Sequence, residues 1–272
     1  MVTSARSPRV RTARSLAKRA LRERSRLFLA EGPQAVREAL RRDGGITELF
    51  VTGPARSRHE ELVAAVSAAG PPVHEVSGEV MSELAQTVTP QGLLAVCPFI
   101  DVPLTDLIAA QPRLVVVLAN VRDPGNAGTV LRTADAAGAQ GVIFADASVD
   151  PYNSKCVRSS AGSLFHLPLV LGVPVSRAVT ALRAAGLAVL AADGSATVGL
   201  DDLDRAGRLG QPTAWLFGNE AWGLPADLIG QADEAVSVPI YGQAESLNLA
   251  AAAAVCLYAS ARAQYGGAAQ SR

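Results

Sequence analysis

The sequence predicts an α/β protein in which a smaller N-terminal domain precedes a larger domain built on a parallel sheet. Short apolar runs alternate with stretches of about ten residues that read as helices, which is typical of a sheet covered by helices. The run Leu114–Ala119 (LVVVLA) is continuously apolar and rich in Val, as expected of a central parallel strand that is buried on both faces. Pro98, Pro103 and Pro112 mark a linker between the two blocks.

In the first block a basic helix is followed by alternating strands and helices. The predicted helices are Ser15–Arg24, Pro33–Arg42, Glu60–Ala69 and Glu79–Leu84. The predicted strands are Leu27–Ala30, Thr47–Val51, Val73–Val76 and Gly92–Cys97. We therefore place an N-terminal domain at 1–98 and the linker at 99–112.

The second block repeats the alternation over a longer stretch and ends in a long Ala-rich helix. The predicted strands are Leu114–Ala119, Gly141–Ala145, His166–Val170, Leu187–Ala192, Thr213–Phe217 and Ala235–Val238. The predicted helices are Ala127–Ala137, Ser154–Ala161, Ser176–Ala185, Pro225–Ile229 and Leu247–Ala263. We place this domain at 113–265 and expect the tail 266–272 to be disordered.

Composition excludes several classes of protein. With 272 residues, 49% of them apolar, and a mean hydropathy of +0.21, the chain can bury a sizeable core and is not intrinsically disordered. The longest apolar run, Leu249–Ala259, is about half of the roughly 20 residues that a membrane span needs. The first 26 residues are rich in Arg and lack an apolar segment, so we expect no secretory signal and a cytoplasmic protein.

Cysteine and histidine usage argues against a metal centre. The cysteines are three and widely separated, and none forms a CxxC pair; they are Cys97, Cys156 and Cys256. With only three histidines as well, we expect neither a disulfide framework nor a metal site. The sequence also lacks GxGxxG, GxxxxGK[ST], GxSxG and HExxH, which leaves dinucleotide, P-loop and common hydrolase chemistry without support.

Charge is distributed unevenly although the net charge is zero. Residues 1–42 carry eleven Arg and one Lys against three Glu, a net charge of +9, so the remaining 230 residues sum to −9. Such a basic arm is typical of proteins that bind polyanions; the alternative is a solvated, frayed N-terminus. The residues suited to RNA phosphates are Arg9, Arg11, Arg14, Lys18, Arg19, Arg22, Arg24 and Arg26. Since aromatic residues make up only 4% of the chain, serial base stacking is not expected.

Three polar, Gly-rich loops follow predicted strands of the second block, where α/β sheets bind ligands. They are 120–138, 216–225 and 238–250. We expect Asn126 to cap a helix, and Arg132 to lie on the apolar side of that helix beside Val130 and Leu131, where an arginine needs an anionic partner. Ser246 and Asn248 form a candidate cap for the last helix. Each loop alone could be an ordinary cap or turn, but three at the strand ends of one domain favour a binding site.

These loops resemble the motifs of a known family. The segments NVRDPGNAGTVLRTADAAG, LFGNEAWGLP and VPIYGQAESLNLAAAAAVCLY are similar, in order and spacing, to motifs 1, 2 and 3 of the SpoU/TrmH family of SPOUT RNA 2′-O-ribose methyltransferases. The likeness covers about residues 113–260. A weaker likeness over about 10–98, carried by FLAEGPQAVREAL and TPQGLLAV, is to the L30e-like substrate-binding domain of family members that modify rRNA.

The resemblance implies a C-terminal SPOUT domain with a deep trefoil knot, a homodimer whose active sites are completed across the interface, and S-adenosylmethionine as cofactor. Its implied catalytic residues are Arg132, Asn126, Glu220, Ser246 and Asn248. Its implied cofactor-binding residues are Leu216, Phe217, Gly218, Asn219, Glu220, Gly223, Val238, Ile240, Ser246 and Leu247. Because a free guanidinium loses its proton only above about pH 12, we assign Arg132 to charge stabilisation and expect a phosphate or water to accept the proton.

The resemblance further implies that 23S rRNA is the substrate and the partner RNA, with no membrane and no metal involved. Some two-domain members confer resistance to ribosome-targeting antibiotics, with which the Ala- and Arg-rich composition is compatible. The alternatives are a tRNA 2′-O-methyltransferase and a non-catalytic RNA-binding factor in ribosome assembly.

Overall fold

A computed structural model describes Ser4 and residues 6–85, 87–145 and 147–269. The strands are β1 (Leu27–Glu31), β2 (Glu48–Thr52), β3 (Val73–Val76), β4 (Leu93–Pro98), β5 (Leu114–Ala119), β6 (Val142–Ala145), β7 (Leu169–Val173), β8 (Ala188–Ala192), β9 (Val198–Gly199), β10 (Thr213–Phe217) and β11 (Glu234–Ser237). The helices are α1 (Pro8–Ser15), α2 (Arg19–Ser25), α3 (Pro33–Leu40), α4 (Gly53–Arg58), α5 (Glu60–Ala68), α6 (Gly78–Ala85), α7 (Leu104–Ala109), α8 (Pro124–Ala136), α9 (Ser154–Ser159), α10 (Val175–Ala184), α11 (Leu200–Arg205), α12 (Ala226–Ile229) and α13 (Leu249–Ala269).

The chain divides into two compact units. The first unit contains residues 1–100 and 150–166, and the second contains 101–149 and 167–272. In the first unit a mixed sheet has the order β1-β4-β2-β3, with β4 antiparallel to both neighbours and β2 parallel to β3. Its core includes Val10 and Ala13 of α1, together with Phe50, Met81 and Leu94.

In the second unit the sheet has the order β7-β6-β5-β10-β8-β11-β9, and every pair of neighbours is parallel. The predicted α/β class with a parallel sheet is confirmed. The strand β5 is buried at every position, as its continuous apolar run predicts. The last helix, α13, packs on α8, β10 and β5, and the Trp215 Nε1 of β10 donates a 2.9 Å hydrogen bond to Ser260 Oγ of α13.

Residues 150–166 lie between β6 and β7 in the chain but belong to the first unit. The Tyr152 ring stacks on Phe99 with 3.9 Å between centroids and lies 4.7 Å from Phe28. The guanidinium of Arg158 is 3.5 Å from the Glu31 carboxylate. The first unit is therefore completed by a segment that sequence order alone assigns to the second block.

Glu38 anchors the end of this segment. Its carboxylate, 4% exposed, lies 3.2 Å from His166 Nε2 and 2.6 Å from Arg41 Nη1. Burial raises the pKa of the Glu38 carboxyl, but the hydrogen bonds and charges of His166 and Arg41 outweigh it, so the pKa lies below its ordinary value of 4.5. The strand β7 begins at Leu169, directly after Pro168, rather than at His166 as predicted.

Several predicted elements differ from those found. The basic helix predicted at Ser15–Arg24 is instead two helices, α1 and α2, because Pro8 starts a helix at its first position and the chain breaks at residues 16–18. The expected linker contains α7, whose Leu104 and Leu107 are buried in the core of the second unit. Helix α13 continues to Ala269, and residues 270–272 of the expected tail lie outside the described residues.

No helix in the described part of the chain has the length and apolar content that a transmembrane span requires. Nor do the described residues contain a group of three or more side chains arranged to hold a metal ion.

Candidate active site

A cavity of about 240 Å³ opens at the carboxyl ends of β8, β10 and β11, which are adjacent in the sheet. This edge is where parallel sheets bind ligands. The cavity is lined by Ala192, Asp193, Gly194, Phe217, Gly218, Asn219, Glu220, Ala221, Gly223, Val236, Val238, Ile240, Ser246, Leu247, Leu249 and Ala252. Its wall thus combines apolar side chains, backbone of a Gly-containing turn and the carboxylates Asp193 and Glu220.

The turn after β10 forms one wall, and its two glycines are structurally required. Asn219 and Gly223 exchange backbone hydrogen bonds of 2.9 Å in both directions. Gly223 has a φ of +69°, which favours glycine. A Cβ on Gly218 would lie 2.4 Å from the carbonyl carbon and oxygen of Gly223, so only glycine lets the two arms of the turn approach this closely.

Asn219 ties this turn to the neighbouring strand end. Its side chain is nearly buried, its Nδ2 donates a 2.9 Å hydrogen bond to the carbonyl of Asn120, and its Oδ1 accepts a 2.8 Å bond from Ala221 N. Asn120 follows β5 with a φ of 57°, a conformation that asparagine tolerates. The ends of β5 and β10, which pair directly, are thereby held in register.

A chain of hydrogen bonds joins three of the predicted site residues. Asn248 Nδ2 donates to Asn126 Oδ1 at 3.2 Å, and Asn126 Nδ2 donates to Glu220 Oε1 at 3.3 Å. The Glu220 carboxylate also accepts from the backbone N–H groups of Arg122 and Asp123 at 3.3 and 3.2 Å. The three loops therefore converge through Asn126, Glu220 and Asn248.

The helix caps differ in part from prediction. Asp123, not Asn126, caps α8, because its Oδ1 accepts from Asn126 N at 2.8 Å and Pro124 occupies the first helical position. The Asn126 side chain is thus free to reach Glu220 and Asn248. Asn248 precedes α13 and accepts from Ala250 N at 2.9 Å, which is the cap geometry expected for it.

Arg132 does not lie where the sequence pattern places it. Val130 and Leu131 are buried, but Arg132 is exposed, and within the described residues it has no hydrogen bond or ion pair. From Asn126 it is about 9 Å along α8 and roughly 120° around it. The expectation of an apolar setting is wrong, because a helix turns each successive residue by about 100° and two buried neighbours do not bury a third.

Nine of the ten predicted cofactor-binding residues line the cavity, and Leu216 does not. Leu216 is fully buried and its side chain belongs to the core of the second unit. Sequence reasoning missed Asp193 and Gly194, although they directly follow the predicted strand Leu187–Ala192 and the strand-end rule points to them. Asp193 Oδ1 accepts from Ser195 N at 2.8 Å and from Ser195 Oγ at 2.9 Å.

The comparison with family models decides the classification. Residues 113–258 match the SpoU rRNA Methylase family, and residues 7–95 match the MRM3-like substrate binding domain. The chain belongs to the SpoU rRNA methylase family. Membership confirms the resemblance read from the three loops, and the second match agrees with the smaller N-terminal domain expected to bind substrate.

Relatives of this family align over nearly the whole chain. The 23S rRNA (guanosine(2553)-2′-O)-methyltransferase RlmP of Bacillus subtilis is 34% identical over 94% of this chain and 97% of its own length. An AdoMet-bound rRNA methyltransferase structure from Sinorhizobium meliloti has a TM-score of 0.83 at 34% identity, covering 96% of each chain. The AdoMet complex of the SpoU methyltransferase AviRb from Streptomyces viridochromogenes has a TM-score of 0.82 at 31% identity, covering 96% of this chain and all of that one.

The N-terminal arginines of this family member are not equivalent. Arg22, expected to contact RNA, is buried, and its guanidinium lies 2.6 Å from Asp150 and donates to the carbonyls of Leu16 and Ala17 at 2.7 and 2.8 Å. Because its side chain is buried and all three of its guanidinium nitrogens donate hydrogen bonds within the protein, Arg22 has a structural role, and the prediction that it contacts RNA is wrong.

The other predicted RNA contacts fall into two groups. Arg14 pairs with Glu83, Arg19 pairs with Glu23, and Arg26 lies 4.5 Å above the Phe99 ring. The remaining members are exposed and, within the described residues, have no hydrogen bond or ion pair through their side chains; they are Arg9, Arg11, Lys18 and Arg24. Among the eight predicted residues, these four remain the candidates for binding RNA phosphates.

Proposed function

We propose that this protein is an S-adenosylmethionine-dependent RNA 2′-O-ribose methyltransferase that acts on 23S rRNA. One observation carries the proposal: two of the predicted loops, 216–225 and 238–250, line one cavity, and the third, 120–138, is joined to both through the hydrogen bonds of Asn126 with Glu220 and Asn248. RlmP, which matches over 94% of the chain, and RlmB of Bordetella pertussis, which matches over 81%, are named for this reaction on this RNA.

The cavity has the chemistry to hold the methyl donor. Its apolar side chains, among them Phe217, Val238 and Leu247, suit the adenine ring and the aliphatic chain of S-adenosylmethionine. Its carboxylates, Asp193 and Glu220, suit the positive charges of the donor. When bound, the donor supplies an electrophilic methyl group on a positively charged sulfur.

The protein's own task is to orient the ribose and to manage charge. An in-line transfer needs the 2′-oxygen held close to the methyl carbon, and the hydroxyl must lose its proton. The exposed guanidinium of Arg132 stabilises the developing alkoxide or the adjacent phosphate, and that phosphate or a water takes the proton. The Asn248–Asn126–Glu220 chain holds the loops that frame this reaction.

The protein acts as a homodimer in which Arg132 serves the cavity of the other subunit, and its methyltransferase domain carries a deep trefoil knot. Two features support the dimer. Arg132 has no hydrogen-bonding or ionic partner in the described part of its own chain. Val255 and Tyr258 on α13 are 43% and 53% exposed and lie on one face of the helix, a surface that a second copy would cover.

Labelled methyl transfer tests the activity. Purified protein, labelled S-adenosylmethionine and unmodified 23S rRNA are expected to give label on one ribose, located by mapping the product; tRNA serves as the competing substrate. Label on tRNA alone would overturn the rRNA assignment, and donor binding with no transfer to either RNA would favour an assembly factor.

Mixed subunits test the role of Arg132. Arg132→Ala and Asn248→Ala are each expected to lower turnover, Arg132→Ala with donor binding nearly intact. Mixing Arg132→Ala with Gly218→Ala, whose cavity is disrupted, should restore part of the activity because one competent site forms in each mixed dimer. If the mixture remains as inactive as its components, Arg132 does not act across the interface.

A further inference from the structure

Trp222 is a large aromatic side chain that this fold leaves in solvent. It is 61% exposed, whereas Trp215, the other tryptophan of the sequence, is fully buried. Exposed tryptophans are uncommon because burying the indole ring stabilises a protein substantially. Within the described residues its indole makes no hydrogen bond. The fold itself therefore gives no reason for an indole at this position.

The position of Trp222 relates it to the methyl-donor cavity. Both chain neighbours, Ala221 and Gly223, line the cavity, and Trp222 does not. Since adjacent Cα atoms are 3.8 Å apart, the indole starts at the rim of the cavity. Glu220, two residues earlier, belongs to the hydrogen-bonded chain with Asn126 and Asn248.

The turn that carries the indole is held in place. Its two backbone hydrogen bonds between Asn219 and Gly223 close the turn, and the Asn219 side chain binds both Ala221 N and the carbonyl of Asn120. Because the backbone of the turn is already held, its ordering costs no further conformational entropy when the indole makes a contact, which favours binding.

We propose that Trp222 stacks on an unpaired RNA base at the methylation site and so holds the target nucleotide at the cavity. This inference rests on the proposed function. RNA-binding proteins recognise single-stranded loops and ends by stacking their unpaired bases on aromatic rings. An uncharged aromatic ring suits a base, whereas the exposed N-terminal cations suit the phosphates of the surrounding RNA.

Loss of this stacking contact should raise KM for the RNA and leave kcat unchanged. Trp222→Ala should raise KM for 23S rRNA by about 5- to 150-fold, which is the loss of affinity expected when one base–aromatic stack is removed. Because the contact exists before and during transfer, kcat at saturating RNA should stay within about threefold. Trp222→Phe should recover most of the loss. The matched control is Tyr265→Ala, since Tyr265 is 58% exposed and lies outside the cavity.

Fluorescence gives an independent readout that does not depend on turnover. In the wild-type protein acrylamide should quench Trp222 and spare the buried Trp215. Unmodified 23S rRNA should protect Trp222 from acrylamide, and this protection should be absent in Trp222→Phe. An RNA with an abasic site at the mapped nucleotide should bind wild type more weakly, yet bind Trp222→Ala as well as the normal RNA does.

The outcomes separate this inference from the proposed function. If wild type transfers no methyl group to any RNA, the proposed function fails. If wild type is active but Trp222→Ala keeps KM within twofold, or if rRNA leaves the quenching of Trp222 unchanged, the stacking role is wrong. It is also wrong if Trp222→Ala dissociates the dimer in sedimentation, because Trp222 would then be covered by a second copy. If Trp222→Ala loses affinity for the methyl donor in calorimetry, the substitution has disturbed the turn. The stacking role is then judged from the KM of Trp222→Phe and from the protection of Trp222 against acrylamide in wild type.

Discussion

Gly218→Ala is expected to disrupt the cavity that we propose binds the methyl donor, without changing any polar group. A Cβ at this position would meet the carbonyl carbon and oxygen of Gly223 at 2.4 Å and the backbone nitrogen of Leu224 at 2.6 Å. All three are backbone atoms, so no side-chain rotation relieves the clash. The turn must move instead, and the backbone hydrogen bonds between Asn219 and Gly223 are weakened as it does.

The expected cost follows from these contacts. Overpacking typically costs about 1–3 kcal/mol, and each weakened backbone hydrogen bond contributes about 0.5–1.5 kcal/mol. With partial relaxation we expect about 2–4 kcal/mol in all, which corresponds to a loss of donor affinity of roughly 30- to 700-fold. The loss appears as affinity because Gly218, Asn219 and Glu220 line the cavity.

Isothermal titration calorimetry with S-adenosylmethionine measures this loss. The matched control is Gly242→Ala in the loop before α13, where a Cβ meets nothing within 4 Å and φ is not in the left-handed region. That variant should bind the donor as wild type does. Equal donor affinity in Gly218→Ala and wild type, with unchanged thermal stability, would refute the role of close backbone approach in forming the cavity.

Three further predictions concern the first unit and the buried thiols. Arg22→Ala should lower the stability of the first unit by about 3–5 kcal/mol in thermal unfolding, because it leaves the Asp150 carboxylate buried without its partner; Arg24→Ala, at an exposed site, should leave stability unchanged and reduce the salt dependence of RNA binding. Because the pKa of Glu38 is lower in the folded protein, its ionised carboxylate stabilises the protein above about pH 4.5, and this contribution is lost as the pH falls below that value. Glu38→Gln should therefore flatten the decline of Tm between pH 5 and 3. An unaltered decline would contradict the stabilising role of the Glu38 carboxylate. Burial raises the pKa of the Cys256 thiol to about 12, so at pH 8 its thiolate fraction is lower than that of a free cysteine by more than about a thousandfold. Labelling of Cys256 by a disulfide reagent should therefore require unfolding. Rapid labelling of Cys256 in the folded protein would contradict this prediction.

The local sequence pattern was sufficient to predict strands whose burial follows from their own residues and the turns that flank them. The strands Val73–Val76, Leu114–Ala119 and Thr213–Phe217 have the bounds predicted for them. The last two are short, mainly apolar runs that begin after a proline-containing turn and end at Asn120 and Gly218, and the first lies between Pro72 and Gly78. The gathering of three polar loops at one sheet edge was also predictable, since parallel strands place their carboxyl ends on the same side.

The local sequence pattern failed to predict burial where two residues of the same type have different tertiary neighbours. Arg22 and Arg24 are two positions apart on α2, yet Arg22 is buried against Asp150 and Arg24 is exposed. Nothing within their own helix distinguishes them, because the partner lies 128 residues away in the chain. Helix α7 is missed for a similar reason: the prolines on either side of it predict a linker, and its burial comes from the core of the second unit.

The sequence by itself determined the α/β class, the order of most strands and helices, the family and the loops that carry the site. Only the tertiary structure decided that residues 150–166 complete the first unit, that Asn248, Asn126 and Glu220 form one hydrogen-bonded chain, and that Arg132 and Trp222 face solvent. The physical reason is the sequence separation of the interacting residues. Periodicity and turn chemistry act over a few neighbouring residues, whereas burial and pairing depend on side chains that are distant in sequence and become neighbours only when the sheets form.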